Sequence, residues 1–375
     1  MNYPPDQDLE QLRYHLALAM APKVGPTLFK AIVAYSGSPK DFFKLTKGKA
    51  SKIPRVGEKL LEIQKNESNL LRTADDIQNT CQKKGLDIHF SSSSKFPHRL
   101  KTIEDSPVIL FSQGKGELNF DRSIGIVGTR SATNYGKAIT KKIIEDLLPY
   151  QPVIISGLAY GIDIEAHRAA LQVGLPTIAI MGSPIDQIYP AAHKKTAEQL
   201  QETGLLVSEY APGSRLVPGN FPARNRIIAG LSDALIVVEA AEKGGALITA
   251  EIAYSYDKDV FAVPGNLLST YSEGCNQLIR KMKASIYTGP GDIAEALFWT
   301  KPGEEKIKKP TLDLSGRDED ERSILQHLQE KGESEIDLIS YATEIPLGIL
   351  SSKLLSLEFE GIVKSLPGKK FKLMI

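Results

Sequence analysis

The chain has 375 residues, 42% of them hydrophobic, with 46 basic against 45 acidic side chains and a formal net charge of +1. That length can bury more than one core, and the balanced charge excludes recognition of a polyanion by bulk field, so any nucleic-acid affinity must come from local patches. Two cysteines without metal spacing, a polar start from Met1 to Asp8 and no membrane-length apolar run point to a cytoplasmic protein with no metal, no cofactor and no membrane contact.

Leu9 to Leu71 is helical by pattern. Within it, Ala21-Pro22-Lys23-Val24-Gly25-Pro26 and Ile53-Pro54-Arg55-Val56-Gly57-Glu58 each place Val-Gly between helical stretches, a helix-hairpin-helix (SAM-like) look. Such turns can grip a phosphate or can be purely structural, and both readings stand. Thr73 to Lys84 reads as a helix, Leu86–Phe90 and Val108–Phe111 as strands. His98 is isolated, which suits a structural role.

From Ser123 onward short apolar runs recur: Ser123–Val127, Pro152–Ile155, Thr177–Met181, Leu205–Ser208, Ala234–Val238 and Val260–Val263. Each is too short for a helix and rich in Val and Ile, as strands buried on both faces are. Helical patterns separate them. The fold class is therefore α/β with a parallel, extended Rossmann-like sheet. In such a sheet the loops after the strands share one edge, where ligands bind. Here they carry Gly128-Thr129-Arg130, Ser156 to Asp163, Gly182-Ser183-Pro184, Tyr210 to Arg226, Lys243-Gly244-Gly245 and Pro264-Gly265-Asn266. Bare amides, helix N-termini and cations on one edge suit phosphates.

The glycine spacing matches neither the dinucleotide fingerprint nor a P-loop. Arg130 can meet an anion, or bridge to Asp163 or Glu239. Asp163 and His167, four apart, share a helix face; they form either an acid–base pair or an internal brace. Tyr189-Pro190 reads as a helix start, with Lys194 and Lys195 in the early turns, where cations are locally unfavourable unless a polyanion passes over them. Pro222 reads as the start of a helix on which Arg224 and Arg226 point to nearly opposite sides. At most one should then face a ligand, and the other should pair with a carboxylate. Phe221, Tyr160, Tyr210 and Tyr271 are candidate stacking platforms for bases.

Lys301 to Arg322 mixes both charge signs with few apolar residues and reads as a linker. Beyond it, helices over Ser323–Lys331, from Ser334 (N-cap, with Asp337 at the capping-box position) and over Leu347–Glu360 precede a hairpin around Pro367-Gly368. This is a winged-helix pattern. Its third helix carries one lysine, Lys353, against Glu358 and Glu360, poor for groove reading, and the unit reads as a protein-contact module. The expected division is 1–80 helical domain, 81–300 Rossmann-like domain, 301–320 linker and 321–375 winged helix.

Several motifs occur together and in order: Gly128-Thr129-Arg130, Ser156-Gly157-Leu158-Ala159 with Gly161-Ile162-Asp163, Ser208-Glu209-Tyr210, Phe221-Pro222-Ala223-Arg224-Asn225-Arg226, Ala262-Val263-Pro264-Gly265 and Gly274-Cys275-Asn276-Gln277. The chain thereby resembles the DNA-processing protein A (DprA/Smf) family, densely from Phe96 to about Leu297. It departs from the family at Lys281-Met282-Lys283-Ala284, where Gly usually precedes the last Ala. The resemblance implies a homodimer that binds single-stranded DNA without sequence preference, protects it and loads RecA onto it in natural transformation, with no catalysis. It places Arg130, Gly157, Phe221, Arg224, Asn225, Lys243 and Gly244 in the DNA pocket. Lys194 is a further candidate, and the residues themselves add Arg226 and Gly245.

Two enzymatic alternatives are open. Lys243 to Glu251 partly resembles the Pro-Gly-Gly-x-Gly-Thr-x-x-Glu of Rossmann-like phosphoribohydrolases, without its proline and third glycine. A nuclease would need clustered carboxylates for metal ions, and the loops offer only scattered ones.

Overall fold

The computed structural model describes residues 9–50, 53, 58–301, 314, 317–366 and 368–373. The turn of the second N-terminal hairpin (54–57) and most of the charged linker lie outside them. The chain divides into two compact units at Trp299 and Thr300.

The first unit opens with six helices: α1 (Leu9–Ala19), α2 (Pro26–Ser36), α3 (Pro39–Lys44), α4 (Lys47–Ala50), α5 (Glu58–Lys65) and α6 (Glu67–Lys84). The last runs four residues past the boundary expected at 80. Leu12, Leu16, Phe29, Phe42 and Ile77 share one apolar core with Phe90 and Phe111 of the following strands. The helices are thus packed directly onto the edge of the sheet. His15 sits in this core, its Nε2 2.8 Å from the Val108 carbonyl; burial lowers its pKa to about 4, which keeps it neutral.

Two strands, β1 (Asp87–Phe90) and β2 (Ile109–Gly114), flank the short helix α7 (His98–Lys101). The Rossmann-like part then runs β3 (Ser123–Val127), α8 (Asn134–Leu147), β4 (Val153–Ser156), α9 (Ile162–Val173), β5 (Thr177–Met181), α10 (Lys194–Leu200), β6 (Leu205–Ser208), α11 (Asn220–Leu231), β7 (Ala234–Val237), α12 (Gly245–Ser255), β8 (Asp259–Ala262), α13 (Glu273–Arg280), β9 (Ser285–Ile286) and α14 (Pro290–Ala296). All six Val/Ile-rich runs are strands, within one residue at each end. Helix α11 begins at Asn220, two residues before the expected start, with Pro222 accommodated in its first turn, where no N–H is required. Helix α10 begins at Lys194, not at Pro190; a 3₁₀ turn, Ala191–His193, intervenes.

The nine strands are ordered β1-β2-β6-β5-β4-β3-β7-β8-β9. From β6 to β9 all pairings are parallel, and β2 joins β6 antiparallel. The chain steps outward from β3 to β6, then returns to the other side of β3 with β7. Strand alternation sends Ile124 and Ile126 to one face, with Ile143, Ile144 and Ala166 of α8 and α9. Val127, Leu235 and Val237 go to the other face, with α11 and α12. Both faces are covered, as an apolar parallel sheet requires. The order reversal between β3 and β7 leaves a crevice at the carboxyl edge.

The second unit contains α15 (Glu319–Lys331), β10 (Ser334–Glu335), α16 (Ile336–Thr343), α17 (Leu347–Phe359), β11 (Val363–Leu366) and β12 (Lys370–Leu373), with an antiparallel sheet β10-β12-β11. Leu325, Leu328, Ile339, Leu350 and Leu354 form its core. This is a winged helix. The charged stretch read as linker ends inside it, because Asp318 caps α15 through the Glu321 N–H at 2.9 Å. Ser334 does not cap a helix. It pairs in register with Phe371, and its Oγ lies 3.0 Å from His327 Nε2. Lys353 pairs with Asp318 and Glu321, so the third helix has no free cation.

Candidate nucleic-acid interface

The carboxyl edge is built on a braced floor. Arg224, 4% exposed, reaches from α11 under the loops after β4 and β5. Its Nη1 donates to the Gly157 carbonyl at 2.6 Å and to the Ile180 carbonyl, and its Nε donates to Asn225 Oδ1 at 3.1 Å. Burial lowers its pKa to about 10, so it stays charged at neutral pH. Asp163, also buried, accepts from the Gly157 N–H at 3.1 Å. Desolvation raises its pKa despite the nearby Arg224 charge. Together they clamp Gly157 from both backbone sides.

Asp163 and His167 both sit beneath this loop and make no bond to each other among the described residues. The Thr177 hydroxyl donates to the Ile154 carbonyl at 2.8 Å, so it can only accept from His167 Nδ1, 2.7 Å away. That fixes the Nδ1–H tautomer and leaves Nε2 buried without a partner. Burial lowers the His167 pKa to about 3. The two therefore brace separately, Asp163 holding the Gly157 amide and His167 holding Thr177 of β5.

A second brace joins the loops after β3 and β7. Thr129 N–H donates to the Glu239 carbonyl at 2.7 Å. The Glu239 carboxylate accepts from Thr133 N–H at 3.0 Å and Thr133 Oγ1 at 2.5 Å. Thr133 Oγ1 in turn caps α8 at Gly136 N–H. A Cβ at Gly136 would lie 2.1 Å from Glu239 Oε2, so only glycine admits this approach.

Above the floor stand exposed cations. Arg130 makes neither of the salt bridges considered from sequence and has no ion pair among the described residues, nor does Lys243. Lys243 precedes Gly244, the extended N-cap residue of α12. The Gly244 N–H donates to the Ala241 carbonyl at 3.0 Å and the Leu247 N–H to the Gly244 carbonyl at 3.1 Å. Gly245, in the first turn where amides lack an intrahelical acceptor, is exposed beside it. Lys194, at the start of α10, is 73% exposed, with Glu198 only loosely opposed at 3.9 Å. Arg215, in the loop after β6, is a further exposed cation that the motifs did not single out.

Aromatics lie between them. Tyr160, 51% exposed, packs edge-on to His193 at 4.8 Å between centroids. His193 Nδ1 sits 2.8 Å from the Leu158 carbonyl. Phe221, half-buried, is 5.1 Å from Tyr189, itself 50% exposed. Sequence pattern marks Tyr189 only as a helix start; in the structure it is an open aromatic face packed on Phe221.

Two expected site residues are placed differently. Arg226 is bound to Glu209, Nη2 lying 2.6 and 2.7 Å from the two carboxylate oxygens; this is the internal carboxylate pairing expected for one of the two arginines. Arg224 does not face outward either, because two strand-end carbonyls beneath the loops need its donors. Of the four aromatics proposed, Tyr210 and Tyr271 are partly buried, and burial pushes the Tyr210 hydroxyl up to about 12. The open surface therefore comprises Arg130, Tyr160, Tyr189, Lys194, Arg215 and Lys243, with Gly157, Phe221, Arg224 and Asn225 as its support.

The family model for DNA recombination-mediator protein A matches residues 87–298, and that for the DprA winged helix domain matches 308–369. The chain is similar to Protein Smf of Synechocystis sp., 32% identical over 96% of this chain and 98% of the relative. It is also similar to the DNA processing protein DprA of Streptococcus pneumoniae, 42% identical over 54% of this chain and 72% of the relative. The X-ray structure of DNA processing protein A from Streptococcus pneumoniae matches with a TM-score of 0.59 and 32% identity, covering 76% of this chain and 96% of that one. Because the family match spans the whole nine-stranded sheet and its loop edge, and one relative is matched almost end to end, this chain belongs to the DprA/Smf family of DNA-processing proteins.

Proposed function

We propose that this protein is a cytoplasmic recombination mediator that binds single-stranded DNA along the carboxyl rim of its sheet, without sequence preference, and passes the strand to RecA in natural transformation. One observation carries the reading. Arg130 and Lys243 follow the adjacent strands β3 and β7, stand exposed and have no counter-charge among the described residues. Unpaired cations held at fixed positions favour a ligand that brings its own negative charges. Open tyrosines at 160 and 189 suit unpaired bases, whose π-faces a duplex would hide.

The strand, in this reading, places phosphates on Arg130, Lys194 and Lys243 and on the Gly245 amide, with bases on Tyr160 and Tyr189. The Gly244 N–H is taken by the Ala241 carbonyl at 3.0 Å, so Gly244 serves as the turn that presents its neighbours. RecA delivery is supported by the description of the matching family, a recombination mediator. The exposed apolar residues Tyr341, Leu355 and Phe359 of the winged helix suit contact with protein better than with DNA. A homodimer would present two such rims to one strand and gain by avidity.

The phosphoribohydrolase alternative has less support. Glu251, the glutamate that its motif would supply, is exposed and ion-paired with Lys283 at 2.5 Å. Among the described residues no group of three His, Cys, Asp or Glu is placed to hold a metal ion, so a metal-dependent nuclease gains nothing either.

Fluorescence anisotropy with labelled single- and double-stranded oligonucleotides across a salt series tests the proposal. The expected result is preference for single strands and an affinity falling by about 0.7 log units per log unit of salt for each phosphate neutralised. Equal binding of duplex, or binding insensitive to salt, would refute it.

A further inference from the structure

A second recess opens beside the rim, at the carboxyl ends of β3, β7 and β8, where the strand order reverses. It encloses about 500 Å³, and among its lining residues are Thr133, Tyr135, Glu239, Asn266, Ser269 and Ser272. The lining contains no lysine or arginine. Its chemistry is therefore opposite to that of the neighbouring surface.

The polar atoms that face it are only partly used. Each Glu239 carboxylate oxygen takes one hydrogen bond from Thr133, and a carboxylate can accept about four. Ser272 is 7% exposed, and its Oγ makes no hydrogen bond among the described residues. It is brought in by Gly265, where a Cβ would lie 2.1 Å from that oxygen. Asn266 Oδ1 accepts from Leu268 N–H at 2.8 Å, which leaves its amide nitrogen available. The Tyr135 ring, half exposed, closes one side, its hydroxyl 3.4 Å from the Pro264 carbonyl.

A carboxylate without a cation repels phosphate and accepts N–H. An open tyrosine ring stacks on a flat heterocycle. We propose that this recess takes one base of the bound strand, and that it favours a base with an exocyclic amino group, such as cytosine, over thymine. The amino group donates to Glu239, where thymine would present a carbonyl oxygen. The recess lies on the strand's path: Arg130 is only three residues from Thr133, at most about 10 Å of chain, and Lys243 is four residues beyond Glu239. The inference rests on the single-strand reading above and adds a preference at one position to an otherwise sequence-tolerant contact.

The test is anisotropy of the full chain with oligo-dC and oligo-dT of equal length at one salt concentration. The parent should bind dC tighter by about threefold or more, the scale of one net hydrogen bond. Tyr135→Ala and Ser272→Ala should bring the dC/dT ratio to about one, and Tyr135→Phe, which keeps the ring, should preserve it. Asn266→Ala, in an exposed loop, gives a reading even if a core-facing variant misfolds, and should shrink the ratio. A parent ratio of one, or ratios unchanged in all variants while both oligomers still bind, would overturn the recess and leave the rim intact. Failure of the parent to bind either oligomer would overturn both.

Discussion

The Arg224 guanidinium lies where a side chain at Gly157 would be: a Cβ built there stands 2.4 Å from Nη2 and 2.5 Å from Asp163 Oδ2. The loop after β4 is thus pressed onto a buried cation and a buried carboxylate that hold its carbonyl and its amide. Gly157→Ala must displace one of them. Overpacking of this kind costs about 1–3 kcal/mol. The variant should melt lower than the parent and bind single-stranded DNA more weakly at every sequence. A variant as stable as the parent, by urea titration, would mean that the clamp is soft.

Arg130 and Lys243 carry the electrostatic part of the proposal. Arg130→Ala and Lys243→Glu should weaken binding to all sequences alike. Each should also flatten the salt dependence by about one phosphate's worth. Their stability should stay near that of the parent, since neither side chain has a partner to lose. A weakened variant with an unchanged salt slope would show that the lost contact was not to phosphate.

Much of this was legible in the sequence, and the part that was not has a common cause. Buried parallel strands announce themselves through Val and Ile, so Ser123–Val127 and Thr177–Met181 are found to the residue. The rim cations follow from position after those strands. Arg224 could be placed on a helix facing away from Arg226, but its burial depends on carbonyls of Gly157 and Ile180, 67 and 44 residues away in the chain. Ser334 has every local mark of an N-cap, yet its strand is dictated by Phe371. Tyr189 stands as an open aromatic face beside Phe221, 32 residues on, a neighbour that local sequence does not reveal. Local chemistry predicted elements; long-range partners decided which side chains remain open.

The aromatic platforms give a separable test. Tyr160→Ala and Tyr189→Ala should each lose about 1–3 kcal/mol of binding if a base stacks there. The corresponding phenylalanine variants should bind like the parent. Loss in both Ala and Phe variants would point instead to the hydroxyl groups.

The Arg226–Glu209 pair is nearly buried, with side chains 12% and 16% exposed, and Arg226 Nη1 has no partner. Removing Arg226 strands the Glu209 charge, at about 3–5 kcal/mol for a fully buried pair, whereas removing Glu209 leaves Arg226 only the looser Asp105, 3.9 Å away. Arg226→Met and Glu209→Gln should each destabilise the fold. The double variant should be far less destabilised than the sum of the two. Additive losses in thermal melts would show that the pair does not act as a unit.

The buried histidines make stability fall in acid. His15 and His167 are held neutral in the folded chain, with pKa values lowered by burial from 6.5 to about 4 and about 3. The unfolded chain binds protons at both below 6.5, while the folded chain does not. Stability from this source is therefore complete above about pH 6.5 and declines as pH falls towards 4, by about 1.4 kcal/mol per pH unit for each histidine. Urea midpoints should drop between pH 7 and pH 5. In His167→Gln, whose amide can still donate to Thr177 Oγ1, the drop should shrink, because one proton sink is gone while His15 and His89, whose pKa burial also lowers, remain. An equal drop in parent and variant would assign the acid sensitivity to other groups.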